Sequence, residues 1–98
     1  MLYLKVMNVG FNVSNNIVYE AMRIVNNNHL MIYAYRIGRT RIRGAFKSTS
    51  TPSIYFAEVD LSTGKYYCTC PYYLIRGKPC KHIIALLFTW KRYVKEYD

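Results

Sequence analysis

The sequence predicts one α+β domain, an antiparallel sheet with two helices packed on one of its faces. Three observations predict it. Between residues 29 and 70, successive stretches alternate apolar and polar residues with the two-residue period of strands. Apolar residues at helical spacing flank those stretches on both sides. All three cysteines and one of the two histidines then fall within residues 68–82, where the sheet gives way to the last helix.

Taken in order, "LYLKVMNV" reads as a short opening strand. "SNNIVYEAMRIVNNN" reads as a helix, with Ser14 as its N-cap because a hydroxyl there can accept from an otherwise unpaired amide. Ile17, Ala21, Ile24 and Val25 would form its apolar face, and the Asn26–Asn28 run stops it. "HLMIYAYRI" and "TRIRGAFK" alternate and are read as strands, separated from the next by the loop "STSTPS". "IYFAEVDL" and "KYYCTC" form a hairpin across "STG", with Gly64 as its left-handed residue. "PYYLIRGKP" reads as an irregular connection, and "KHIIALLFTWKRYVKEYD" as an unbroken helix. In that helix Ile84, Leu86, Leu87, Phe88 and Trp90 are core candidates, with the indole N–H at the core's edge. His29 is read as a surface or capping residue.

At 98 residues the chain fits one domain, whose first part, 1–42, reads as strand-helix-strand. A chain this short buries on the order of 60–65% of its unfolded surface, so a structural metal would add noticeably to a modest core. Hydrophobic residues at 52% and 11 tyrosines exclude a disordered chain. The balance of 14 Lys+Arg against 5 Asp+Glu gives a net charge of +9. So basic a domain attracts anions at long range, nucleic acid first among them. Three cysteines do not make a secreted disulfide framework, no secretory signal is evident, and "IIALLF" falls far short of the ~18 residues of a membrane span. A cytoplasmic protein with reduced thiols is the expectation, without membrane association.

Cys68 and Cys70 sit two apart on a strand, so both thiols can point to one side. Cys80 and His82 sit at the start of the last helix. Two pairs of soft donors on two elements fit one tetrahedral Zn²⁺ with an S₃N set and no open position, hence a structural site. The spacing C-x-C and C-x-H is tighter than the usual two to four intervening residues. On spacing alone, buried reduced cysteines or a redox pair also fit.

"CTCPYYLIRGKPCKHIIALLF" resembles a SWIM-type zinc finger, whose pattern is C-x-C, a variable spacer and C-x-H. The proline after the second cysteine, the aromatic pair, the glycine before the third cysteine, the lysine between Cys80 and His82 and the apolar helix that follows share in the resemblance. The lead-in "GAFKSTSTPSIYFAEVDLSTGKYY" resembles the family's hairpin, so the similarity spans about residues 43 to 90 and assigns 43–98 to the zinc finger part. The resemblance implies one structural Zn²⁺ on Cys68, Cys70, Cys80 and His82 in a ββα-like unit, and a role in nucleic-acid binding or protein–protein contact.

Two basic sets are the candidate nucleic-acid contacts. Arg39, Arg41, Arg43 and Lys47 alternate, so on a strand they would share a face able to track phosphates. Tyr33 and Tyr35 on the preceding strand could stack on bases. Across the "STSTPS" loop, however, Arg41 would oppose Asp60 and Arg43 would oppose Glu58, which would neutralise both. Arg76, Lys78 and Lys81 surround the ligand cluster, where they also balance thiolate charge. A third set, Lys91, Arg92 and Lys95, suits a helix C-terminus. No pair of acids or acid with histidine suggests catalysis, so the chain is expected not to be an enzyme and to take no small-molecule substrate. The reading is a zinc-stabilised module that contacts the phosphate backbone of DNA or RNA, or, as the alternative, a protein-interaction adaptor in a nucleic-acid-processing assembly.

Overall fold

The computed structural model describes residues 2–6, 9–27 and 29–97, with residues 91–97 as backbone. Asn28 and the side chains of Lys91, Arg92 and Lys95 lie outside the described residues.

Strands β1 (Leu2–Val6) and β2 (Val9–Val13) pair antiparallel, from Leu2↔Val13 to Val6↔Val9. The expected opening strand is β1, and the strand β2 after it, which was not expected, makes the pair a hairpin. Val6, Phe11 and Val13 are its buried side. Helix α1 (Asn15–Val25) starts at Ser14, whose Oγ accepts from the Ile17 N–H at 3.3 Å. Its buried line is Val18, Ala21 and Ile24. The face is thus turned slightly from the predicted one, with Ile17 and Val25 at its margins.

β3 (Met31–Ile37), β4 (Arg41–Lys47), β5 (Ile54–Asp60) and β6 (Tyr66–Cys68) form an antiparallel meander in that order. The β4–β5 register runs from Arg41↔Asp60 to Lys47↔Ile54, and β6 adds Ala57↔Cys68. Gly64, at φ 79°, turns the β5–β6 hairpin as expected. The connection after Cys70 is not irregular. It forms a short helix, α2 (Pro71–Arg76), with proline in its first turn and Gly77 at φ 67° as the left-handed C-cap. Helix α3 (Lys81–Tyr97) follows.

The fold is α+β, with three helices and two antiparallel sheets. Among the described residues, α3 is the helix that packs extensively on the four-stranded sheet, and α1 rests on α3. The helices thus stack outward from the sheet, α3 directly on it and α1 on α3. This stacking explains why Ile83, Ile84, Ala85, Leu86 and Leu87 are all buried: a helix between two layers has no solvent face. On the sheet side α3 meets Ile42, Phe46, Ala57 and Val59. Burying each large side chain there stabilises the fold by about 1.5–3 kcal/mol. Gly44 allows the close approach: a β-carbon there would lie 2.8 Å from a Leu86 methyl and 3.1 Å from the Phe46 ring. Trp90 is buried as expected, and the Arg36 guanidinium lies over its ring at 4.3 Å. His29 is exposed in the turn after α1, its N–H donating to Asn27 Oδ1 at 3.0 Å.

Candidate metal centre and the basic surfaces around it

β6 ends on Cys68. Thr69 keeps the chain extended, and Cys70, at φ −74° and ψ 155°, caps α2. Residues 68 and 70 therefore present their thiols on one side, as strand geometry requires. Pro71 and the left-handed Gly77 fold the chain through α2 and back, which brings Cys80 under the first turn of α3. There its carbonyl accepts from the Ile84 N–H at 3.2 Å.

The four donor atoms converge. All lie within 4.8 Å of one another, and all four residues are buried. Cys68 Sγ and Cys80 Sγ lie 3.6 Å and 3.7 Å from His82 Nδ1. A tetrahedral Zn²⁺ with ordinary sulfur and nitrogen bond lengths separates its donors by about 3.5–3.8 Å. The set therefore fits zinc with little adjustment. The Cys70 N–H donates to Cys68 Sγ at 3.5 Å, a contact that favours the thiolate. The His82 ring is fixed between Phe46 and Tyr55, at centroid distances of 4.9 Å and 5.6 Å.

Thiol electrostatics point the same way. Cys70 is held far below the ordinary thiol range by hydrogen bonds from the Cys68 and Cys80 thiols. Cys68 is pushed far up, first because its proton is committed to Cys70 and then through Cys80. Cys80 is pulled down by Cys68, yet the neighbouring Cys70 and burial together push it up to about 11. Three thiols converging on one point cannot all ionise unless a cation joins them, and a dication removes the conflict.

Residues 57–91 match the SWIM zinc finger family. The SWIM segment begins inside β5, takes in β6 and α2 and ends in α3. Its four ligands, Cys68, Cys70, Cys80 and His82, hold one structural zinc. No curated protein and no solved structure matches the chain. The three cysteines form no disulfide, and among the described residues no helix is long and apolar enough to cross a membrane.

The SWIM loop is anchored by tyrosines. The Tyr66 hydroxyl donates to the Gly77 carbonyl at 3.2 Å, and the Tyr73 hydroxyl donates to the Tyr66 carbonyl at 3.2 Å. Burial raises the Tyr66 pKa above its usual value, so it stays a neutral donor. Phe11 of β2 packs edge-on to Tyr66 and ties the first hairpin to this loop. Arg76 and Lys78 are exposed on the mount, Arg76 lying over the Tyr72 ring at 5.5 Å.

Arg41 and Arg43 lie on the exposed side of β4 with Lys47, whereas Arg39 lies in the preceding turn, outside the strand. The Arg43–Glu58 pair forms as the register predicted, at 2.8 Å, and raises the arginine pKa further. Arg41 does not pair with Asp60. It reaches diagonally to Glu58 at 3.7 Å, because Asp60 Oδ1 accepts from the Ser62 hydroxyl and N–H at 2.7 Å and 2.9 Å. One carboxylate thus serves two arginines. Among the described residues, Arg39, Lys47, Arg76, Lys78 and Lys81 have no ion-pair partner.

Two features went unread in the sequence. Lys47, at the end of β4, and Lys81, between two zinc ligands, line one groove with Ser48, Thr49, Ser50 and Tyr55. Phe56 and Tyr67 are exposed on the same side of the sheet as Tyr33 and Tyr35. The alternation of "IYFAEVD" around the inward Ala57 and Val59 carried that signal for Phe56.

Proposed function

We propose that this chain is a non-catalytic, zinc-stabilised nucleic-acid-binding module whose affinity comes mainly from phosphate contacts. The observation that carries the reading is the groove beside the metal centre, where Lys47 and Lys81 come together with three loop hydroxyl residues. Two ammonium groups and adjacent hydroxyls suit a phosphate, and contacts of this kind position a backbone without reading bases. Glu20 also lines the groove, but Arg23 holds its carboxylate at 3.3 Å. Arg76 and Lys78 extend the cationic surface along the anchored loop. The net charge of +9 and the family's association with nucleic acid support the same reading.

The test is equilibrium binding of the zinc-loaded chain to a labelled DNA duplex and its single strands across a salt series. Lys47→Glu and Lys78→Glu should each weaken binding and reduce the log–log salt slope by about 0.9 for duplex. Unchanged affinity and slope in both variants would remove the groove and the loop from the reading.

One observation favours a second reading, the protein-interaction adaptor. Leu74 and Ile75 on α2 are 65% and 82% exposed, and exposed aliphatics on an anchored helix suit a protein partner. Retention of no nucleic acid at low ionic strength would favour that reading.

A further inference from the structure

The four-stranded sheet has one face under α3, and the other carries exposed rings, met only at its β6 edge by Tyr73 of α2, 5.9 Å from Tyr67, among the described residues. Tyr33, Tyr35, Phe56 and Tyr67 are each 41–53% exposed, far more than aromatic residues of a packed face. The register sets them in two rows across the strands. One row runs Tyr35, Arg43, Glu58, Tyr67, and the next runs Tyr33, Ala45, Phe56. Tyr33 and Tyr35 lie 5.6 Å apart, tilted by 34°. Between the rows, Tyr33, Phe56 and Tyr67 wall a shallow groove whose floor includes Arg43 and Glu58.

From this face we infer that the nucleic acid the module prefers is single-stranded, with unpaired bases stacked on Tyr33, Tyr35, Phe56 and Tyr67. The inference rests on the nucleic-acid reading above and adds the strandedness of the ligand and the surface that selects it. A base has a flat π-face that an exposed ring can cover, and a duplex keeps those faces stacked on one another. Charge complementarity names the occupant. Arg41, Arg43 and Lys47 lie on this face, and its two acids are already engaged, Glu58 by both arginines and Asp60 by Ser62. A backbone crossing the rings therefore meets three cations, Arg41, Arg43 and Lys47, against two carboxylates, one positive charge in surplus. In the groove, Arg43 and Glu58 are bonded to each other, so the rings and not free polar groups are what it offers a base.

The experiment uses the zinc-loaded full chain with one mixed-sequence oligonucleotide as DNA, as RNA and as a DNA duplex. Binding is read by anisotropy and by quenching of tyrosine fluorescence. Single strands should bind more tightly than the duplex and quench the tyrosines. Phe56→Ala and Tyr67→Ala should each weaken single-strand binding by about 5- to 150-fold and leave duplex binding within about twofold. Tyr67→Phe keeps the ring and should keep the affinity, which separates stacking from loss of fold, and unchanged zinc content checks the latter directly. Either DNA or RNA as the tighter strand supports the inference, and their ratio names the source. Equal affinity for strand and duplex, untouched by the ring variants, overturns the inference while the nucleic-acid reading survives. Absence of binding to all three probes at low salt fails both readings. A concentration-dependent dimer that Phe56→Ala abolishes, without nucleic acid, assigns the face to a second copy and overturns the inference.

Discussion

The two faces of the four-stranded sheet are built from the same strands, often from adjacent residues, and have opposite fates. On β5, Ala57 and Val59 are fully buried while Phe56 between them and the turn is half exposed. On β6, Tyr67 points out and Cys68 points in, to the metal. One face spends its side chains on packing against α3 and holding zinc. The other keeps rings and arginines in water, where they add little to stability. The lesson is that period-two alternation separates the residues that make this fold from those available to a partner.

The largest expected effect is on the covered face. Structural zinc contributes apparent binding energies of about 10–16 kcal/mol in small zinc domains, which matches or exceeds the ~5–15 kcal/mol stability of a typical domain. Removal of zinc with a strong chelator, or Cys68→Ser, should therefore abolish the cooperative thermal transition seen by circular dichroism, and metal analysis should fall below one equivalent. Acid should do the same, because the cysteines and His82 bind zinc only when deprotonated and protons compete for them. A chelated protein that melts cooperatively within a few degrees of the loaded one breaks the comparison.

A paired substitution sharpens it. Phe46→Ala empties the core beside His82 and should cost about 3–5 kcal/mol in urea unfolding. Phe56→Ala, on the open face and half exposed, should cost under about 1 kcal/mol. Equal costs would mean that the open face is part of the core after all.

The smallest effect concerns Asp60. Its carboxyl sits below the usual carboxylate range, first through the Ser62 hydroxyl and then the Ser62 N–H. A depressed folded pKa gives stability that is present above the unfolded value, near 4, and lost as pH falls through the folded one. Zinc release comes earlier on that descent, so the measurement belongs near neutrality. There Asp60→Asn, which keeps an acceptor for Ser62 but removes the charge, should lower the melting temperature slightly, less than any substitution above. A higher melting temperature would show that the carboxylate repels more than it holds.

Much of this was legible because alternation and donor chemistry are local. The strand pattern placed Arg43 opposite Glu58, and four soft donors at two element ends fitted zinc, with the SWIM resemblance singling out that set. The first hairpin was hidden because "LYLKVMNVGFNV" carries no glycine or proline before Gly10, and a single asparagine, Asn8, was the one sequence mark of a reversal between Val6 and Val9. Helix α2 is too short for its periodicity to show, although Pro71 and Gly77 bracketed it. Asp60 was assigned to Arg41 by register alone, and the register is right. A serine two residues away simply offers a closer donor than an arginine across the ladder. The groove shared by Lys47 and Lys81 joins residues 34 positions apart through the fold, which no local pattern encodes.

Gly44 touches no zinc ligand, yet it sets the elevation of α3 above the sheet. Cys80 and His82 belong to the helix side of the site and Cys68 to the sheet side. The missing side chain at position 44 is thus a spacer of fixed thickness between the two jaws of the metal's grip. Bulk added there would press first on the Leu86 methyl and the Phe46 ring, and Phe46 is the ring that backs His82.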